Sequence, residues 1–159
     1  MITQSRIHEL FDYRDGQLIR KVAKGNRAKA GTVAGSPHVK GYITICVDYK
    51  SYLAHRLVFL FHHGYMPEFI DHKNQNKKDN RIENLREATK AQNNENQKLN
   101  KTNKSGFKGV SWQKKNNKWA AYISVNNKTK NLGLYETPES AHEAYCKAAK
   151  QQFGEFAAF

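Results

Sequence analysis

Residues 66–96, MPEFIDHKNQNKKDNRIENLREATKAQNNEN, carry the densest chemistry in the chain. Met66-Pro67 marks the exit from the preceding element, and Phe69-Ile70-Asp71-His72 reads as a short strand. Side chains alternate along a strand, so Asp71 and His72 diverge. The carboxylate can hold a hard cation while the imidazole meets an attacking water. A polar loop follows, and with Asp79 or Asn80 as N-cap the pattern predicts a helix from Arg81 to about Asn93. Such a helix would bring the Asn93 amide oxygen back over the strand end as a second ligand. One Asp and one Asn leave most positions on the cation to water and phosphate, which suits magnesium, or manganese, and not a closed zinc cage. A nucleophilic water, a cation on a non-bridging oxygen and help for a departing oxygen are the needs of phosphodiester hydrolysis.

The charge around this segment points the same way. The 159 residues include 27 Lys+Arg and 14 Asp+Glu, a formal net charge of +13, which calls for an anionic partner. Residues 1–63 and 101–159 each carry ten basic and four acidic side chains, whereas 64–100 carry seven and six. A protein that only coats a polyanion gains nothing from carboxylates at its centre, and a divalent cation there removes the conflict. Apolar residues make up 38% and aromatics 11%, which excludes wholesale disorder and allows one domain or two small ones. The longest apolar run, Leu57 to Phe61, is too short for a bilayer, and MITQSRIHELF lacks the order of a secretion signal. A soluble, intracellular protein with no membrane partner is expected. Cys46 and Cys146 have no C-x-x-C spacing, so neither a zinc ribbon nor a disulfide framework is supported.

On the N-terminal side, Leu18 to about Tyr52 alternates short β-prone runs with glycine-rich basic loops and reads as small strands and a hairpin turning at Asp48 to Ser51. HRLVFLFHHG follows as a helix stopped by Gly64, in which His55 and Arg56 are expected to pack rather than to catalyse. On the C-terminal side, residues 97–104 read as a flexible basic linker, rich in asparagine with little that is apolar. Residues 105–159 give three strands separated by KKNNK and NNKTK turns, then a helix from Pro138 to Gly154 with Ala141, Ala144, Tyr145, Ala148 and Ala149 on one face. The expected fold class is α+β. It comprises a domain over 1–96 and, over 105–159, a three-stranded antiparallel sheet packed on one helix; the resemblance given next implies that the first is a nuclease domain with a ββα-metal core at about 66–96.

AHRLVFLFHHGYMPEFIDHKNQNKKDNRIENLREATKAQNN resembles the HNH endonucleases, specifically the phage and intron-encoded type in which asparagines replace the histidines outside the base. Carried onto these positions, the resemblance implies His72 as general base, Asp71 and Asn93 as metal ligands, and Asn84 as the residue that pins the loop carrying His72. It also implies a homing endonuclease from a phage or phage-derived locus, acting in the bacterial cytoplasm on double-stranded DNA. Lys73, Lys77, Lys78 and Arg81 in the loop could lie along the phosphates.

GFKGVSWQKKNNKWAAYISV, NLGLYET and PESAHEAYCKAAKQQFGEFAAF resemble the apetala or ethylene-response-factor DNA-binding domain, which implies a sheet lying in the DNA major groove. By alternation, Val110, Ala121, Ile123, Val125 and Leu132 face the helix. Ser111, Gln113, Tyr122, Ser124, Thr129 and Asn131 are left toward DNA, with Lys108, Lys114, Lys115, Lys118 and Lys128 for phosphates. Lys108, Ser111 and Gln113 stand where the plant pattern has arginines, so the target cannot be inherited. The competing expectations are a DNA-binding regulator that cleaves nothing and an RNA-binding protein, for which no RNP-type or G-x-x-G motif is present. No long heptad predicts a dimer, so a monomer is expected. Removal of 105–159 is expected to weaken and despecify cleavage while leaving the metal chemistry.

Overall fold

A computed structural model describes residues 2–23, 25, 28–100, 102–126 and 128–159, and the chain divides into two units, Met1–Thr89 and Lys90–Phe159. In the first unit, two tight turns close two hairpins. Asp15-Gly16, at φ 47° and 82°, joins β1 (Phe11–Arg14) to β2 (Gln17–Arg20), and Asp48-Tyr49, at φ 46° and 63°, joins β4 (Ile43–Val47) to β5 (Lys50–Leu53). Left-handed residues at both turn positions match the right-handed twist of paired strands. The short β3 (Ser36–Pro37) pairs with the far side of β4.

These hairpins pack on α2 (Ala54–His63), in which Leu57 and Val58 are fully buried against Ile7, Leu18, Ile45, Val47, Ile70 and Leu85. Gly64, left-handed at φ 78°, ends the helix. A helix the sequence analysis did not expect, α1 (Gln4–Leu10), completes that end: Gln4 Nε2 donates to the Phe61 carbonyl at 2.9 Å, and His8 Nε2 lies 2.9 Å from the same oxygen. The two side chains satisfy a carbonyl that the helix terminus leaves open.

β6 (Phe69–His72) ends on the Asp71-His72 pair, as the sequence implies. The expected helix from Arg81 to Asn93 is not formed. In its place are a single 3-10 turn at Ile82–Asn84, the strand β7 (Leu85–Ala88), and a six-residue helix α3 (Lys90–Glu95). Ile82, Leu85 and Ala88 recur at helical spacing, but two non-local effects win. The Asn84 side chain binds backbone groups of the preceding loop, which competes with helical pairing. Leu85–Ala88 then lies antiparallel on β6, with His72 opposite Leu85 and Asp71 opposite Arg86. Asp79 caps no helix; its carboxylate accepts from the Arg81 guanidinium instead.

The second unit is a three-stranded antiparallel sheet in the order β10 (Lys128–Tyr135), β9 (Lys118–Val125), β8 (Val110–Gln113), packed on α4 (Pro138–Phe153). The Thr137 hydroxyl accepts from the Ser140 N–H at 3.2 Å and Pro138 opens the helix, as expected of this pattern. Ala141, Tyr145 and Ala149 bury against Val110, Ala121 and Ile123. Gly109 allows this close fit: at φ 72°, a Cβ there would lie 2.1 Å from the Tyr145 ring. The α+β class follows from both units.

Candidate functional site

The end of β6 splits its two polar residues between faces. His72 shares its face with Ile70 and, across the pair, with Leu85, both part of the core of the first unit. It is 5% exposed, and its ring meets His55 edge-on at 5.0 Å and lies 6.1 Å from the Tyr42 ring. The Asn80 Oδ1 sits 3.1 Å from His72 Nε2. An amide oxygen only accepts, so Nε2 carries the proton and Nδ1 carries the lone pair. Burial lowers the His72 pKa below its ordinary value, against the raising effects of Asn80, Asp71 and Asp79. His55 is pushed down to about 3 by burial first, then by the neighbouring His72 and Arg56. Both rings are therefore neutral at pH 7.

The loop after His72 is tied at many points. Asn84 sits at its centre: Oδ1 accepts the Asn74 N–H at 3.0 Å, and Nδ2 donates to Asn74 Oδ1 at 3.1 Å and to the Asp79 carbonyl at 2.7 Å. The Lys73 N–H donates to the Asn84 carbonyl at 2.9 Å, so the two ends of the loop are joined. Gly16 of the first hairpin lies under this loop, where a Cβ would meet the Arg81 nitrogen at 2.6 Å, and the Tyr13 hydroxyl accepts the Ile82 N–H at 3.0 Å. The N-terminal hairpin thus supports the loop that holds Asn80. Of the loop cations, Lys77 lies over the Tyr42 ring at 4.8 Å, within electrostatic reach of His72. Lys73 donates to the Glu83 carbonyl at 2.8 Å, Arg81 pairs with Asp79 at 2.7 Å, and Lys78 is exposed. The Arg81 guanidinium holds the Asp79 carboxyl well below the usual carboxylate range.

Asp71 faces the other way. It is 6% exposed, and Arg86, its cross-strand partner, brings Nε to 2.8 Å and Nη2 to 2.7 Å of the same oxygen, Oδ2. Among the described residues no group of three or more His, Cys, Asp or Glu side chains is placed to hold a metal. The Asp71 carboxylate is the kind of oxygen donor that a hard divalent cation takes. Asn93 lies on α3, in the second unit, while Asp71, His72 and Asn84 lie in the first.

In the second unit the sheet face opposite α4 carries Ser111 and Gln113 from β8, Tyr122 and Ser124 from β9, and Thr129 and Asn131 from β10, set in register as Ser124 to Thr129 and Tyr122 to Asn131. The Ser124 and Thr129 hydroxyls lie 3.0 Å apart. Lys115 is exposed on the turn after β8, and the Lys118 ammonium lies 2.8 Å from Glu136. Lys108 is placed differently from these: its ammonium donates to the main-chain carbonyls of Glu95 and Gln97. From the sequence His55 is expected only to pack and Asn80 only to cap a helix, and neither Tyr42 nor Arg86 stands out as a site residue. Arg86 could have been found had the Leu85–Ala88 strand been recognised, because pairing with β6 puts it opposite Asp71; the His55 and Tyr42 contacts are tertiary and leave no local signal.

Comparison with known proteins assigns the class. The HNH endonuclease family matches residues 52–95 and the AP2 domain matches residues 105–155, in that order. The chain belongs to the HNH endonuclease family and carries an AP2 domain after its nuclease segment. It is 31% identical over 113 residues to Protein 3.8 of Escherichia phage T7, covering 70% of this chain and 93% of that protein. It is 36% identical over 107 residues to the uncharacterized HNH endonuclease L560 of Acanthamoeba polyphaga mimivirus, covering 65% of this chain and 54% of that protein. No solved structure matches the chain. Among the described residues no helix is long and apolar enough to cross a membrane. The family and the DNA-binding domain support a nuclease or DNA-binding role, and HNH nucleases generally use a divalent metal.

Proposed function

We propose that the protein is a metal-dependent endonuclease that hydrolyses phosphodiesters of double-stranded DNA, of the homing type found in phage. The observation that carries this reading is the end of β6, where a buried His72, with Nε2 turned to Asn80, sits beside a carboxylate on the opposite face. His72 Nδ1 takes the proton from a water as that water attacks phosphorus in line. Asn80 then stabilises the imidazolium by accepting from Nε2, and Asn84 keeps the loop that carries Asn80 in place. Asp71 would hold magnesium, or manganese, which when bound supplies positive charge for the phosphate and the departing 3′-oxygen. Lys73, Lys77, Lys78 and Arg81 lie along the phosphates near the break. The products carry 5′-phosphate and 3′-hydroxyl ends.

Recognition falls to the AP2 module, where Ser111, Gln113, Tyr122, Ser124, Thr129 and Asn131 offer short polar groups and one ring to base edges. Lys115 and Lys118 reach the backbone beside them. The phage relative supports action in the cytoplasm of an infected cell.

The end chemistry provides the test. Plasmid and phage DNA are incubated with the full chain and Mg²⁺ or Mn²⁺, and the nicked product is treated with DNA ligase alone. Resealing is expected, because ligase joins only 5′-phosphate to 3′-hydroxyl. Nicks that need phosphatase and kinase treatment first would contradict the assigned attack, and binding without nicking in either metal would favour a DNA-binding regulator.

A further inference from the structure

Plain alternation from Asn131 would turn Leu134 toward α4, away from the face of the sheet assigned to DNA. A bulge in β10 changes this. The pairing register shifts by one residue between Asn131 and Gly133, so Leu134 lies opposite Ala120 while Asn131 lies opposite Tyr122. Ala120 also pairs with Ser111, which sets Ser111, Ala120 and Leu134 in one row across the face opposite α4, next to the row of Tyr122 and Asn131. Leu134 is 38% exposed there, whereas Leu132, in the bulge, packs against the cores on the helix side. We propose that Leu134 is a specificity-determining residue that packs on the C5-methyl of thymine in the major groove, and that with Asn131 it directs the AP2 module to A·T-containing sites.

The chemistry of the two rows selects the base. The lysines of the module attract any duplex alike, so a choice of sequence has to come from the sheet. Thymine alone among the bases offers a methyl group in the major groove, beside its O4 acceptor. Packing Leu134 on that methyl removes apolar surface from water, whereas the amino group of cytosine at the same place would lose its water to a side chain that cannot bond it. Asn131 adds the second half. Its Oδ1 accepts the Gly133 N–H at 2.8 Å, and because a backbone N–H only donates, the amide sits one way round. Nδ2 is the group left for a base, and it suits thymine O4 or adenine N7 but not the cytosine amino group. Guanine also offers acceptors, but its commonest reader is an arginine, and Arg86 is the last arginine of the chain, ahead of the whole second unit. Lys118, at the end of this face, is paired with Glu136. Along β9, Ala120 and Tyr122 are about 7 Å apart, so the apolar group and the donor are spaced by about two base-pair steps for a strand laid along the groove. The inference rests on the reading of the AP2 module as the part that recognises DNA, and it names the bases that the module prefers.

The test measures affinity of the full chain in EDTA, to keep the DNA uncut, for three duplex polymers: alternating dA-dT, alternating dA-dU, which lacks only the methyl groups, and alternating dG-dC. The parent is expected to bind dA-dT about fourfold more tightly than dA-dU, the worth of one buried methyl, and more tightly than dG-dC. In Leu134→Ser the difference between dA-dT and dA-dU should shrink to less than about twofold. Equal parental affinity for dA-dT and dA-dU overturns the proposal. So does a difference that persists in Leu134→Ser, because the methyl also alters the stiffness of the duplex, and that effect does not depend on the side chain at this position. Tighter parental binding to dG-dC overturns the A·T preference. Asn131→Asp keeps the acceptor for the Gly133 N–H and exchanges the donor for a second acceptor, so the ratio of dA-dT to dG-dC affinity should fall roughly tenfold as cytosine amino groups gain a partner. An unchanged ratio overturns the part given to Asn131. A parent that binds none of the three polymers refutes the reading of the module as the DNA-recognising part, whereas binding without dependence on the methyl refutes this inference alone. Fluorescence of Trp112 and Trp119 reports whether each variant's module is folded, and Leu134→Gln, which also ends in a polar group, takes over if Leu134→Ser is not.

Discussion

Replacing Asn84 by alanine should disable the site without touching any reacting group. The side chain makes three hydrogen bonds inside the loop between β6 and β7, at 3.0, 3.1 and 2.7 Å, and all three vanish in Asn84→Ala. At about 1 kcal/mol each, with the Asp79 carbonyl and Asn74 N–H left short of partners, the loss comes to about 3 kcal/mol. Urea unfolding followed by circular dichroism reads this directly, since both tryptophans lie in the other unit. The loop also carries Asn80, so the imidazole of His72 loses its orientation and nicking should slow roughly 100-fold. Asn84→Asp should rescue nothing, because it keeps the acceptor for Asn74 N–H but turns an anionic oxygen toward the Asp79 carbonyl. A fall in stability below about 0.5 kcal/mol together with parental nicking in Asn84→Ala would refute the claim that this residue holds the loop.

Four further outcomes follow from the same geometry. His55 is lowered from 6.5 to about 3 in the folded chain, so its contribution is complete above pH 6.5 and is lost as pH falls toward 3. Between pH 6.5 and 4.5 this amounts to about 2 kcal/mol, and His55→Phe should flatten that part of the stability curve measured by urea titration. Gly109→Ala must place a Cβ 2.1 Å from the Tyr145 ring, and should cost the AP2 module about 3 kcal/mol, seen as a lower melting point of tryptophan fluorescence. Gly16→Ala drives a Cβ into the Asn80-Arg81 backbone and should slow nicking while DNA affinity in EDTA is kept. Arg86→Met leaves the Asp71 carboxylate without its guanidinium and should destabilise the first unit by about 3 kcal/mol. Added Mg²⁺ should raise the melting temperature of that variant more than the parent's, because the cation replaces the lost positive charge.

The parts of the fold that were legible in the sequence are those set by local pattern. The Phe69–His72 strand, the Ala54–His63 helix with its Gly64 stop, and the sheet and helix of the second unit all lie where alternation, capping and turn residues put them. The segment after the loop was misread because Ile82, Leu85 and Ala88 have helical spacing, and only their pairing with β6 makes them a turn and a strand. The helix α1 was missed because seven residues with one buried side chain carry little periodic signal; its purpose, to close the end of α2, is tertiary. In the candidate site, Asp71 and His72 are named as a pair at a strand end, and Asn84 through the resemblance to HNH endonucleases. The supports around them are not, since His55, Tyr42 and Asn80 reach His72 only once the chain is folded. Lys108 illustrates the limit of counting charges: its sign is visible in the sequence, but its partners are carbonyls of α3 and not phosphates.

The central claim is that His72 is the base of a metal-dependent nuclease. The direct measurement compares the parent and His72→Ala on supercoiled DNA with Mg²⁺, Mn²⁺ or EDTA, after gel shift in EDTA has shown equal affinity for the same DNA. Nicking by the parent in metal alone, reduced roughly 100-fold or more in His72→Ala at equal binding, is the predicted result. Equal nicking by both proteins would remove His72 from the chemistry and contradict the account.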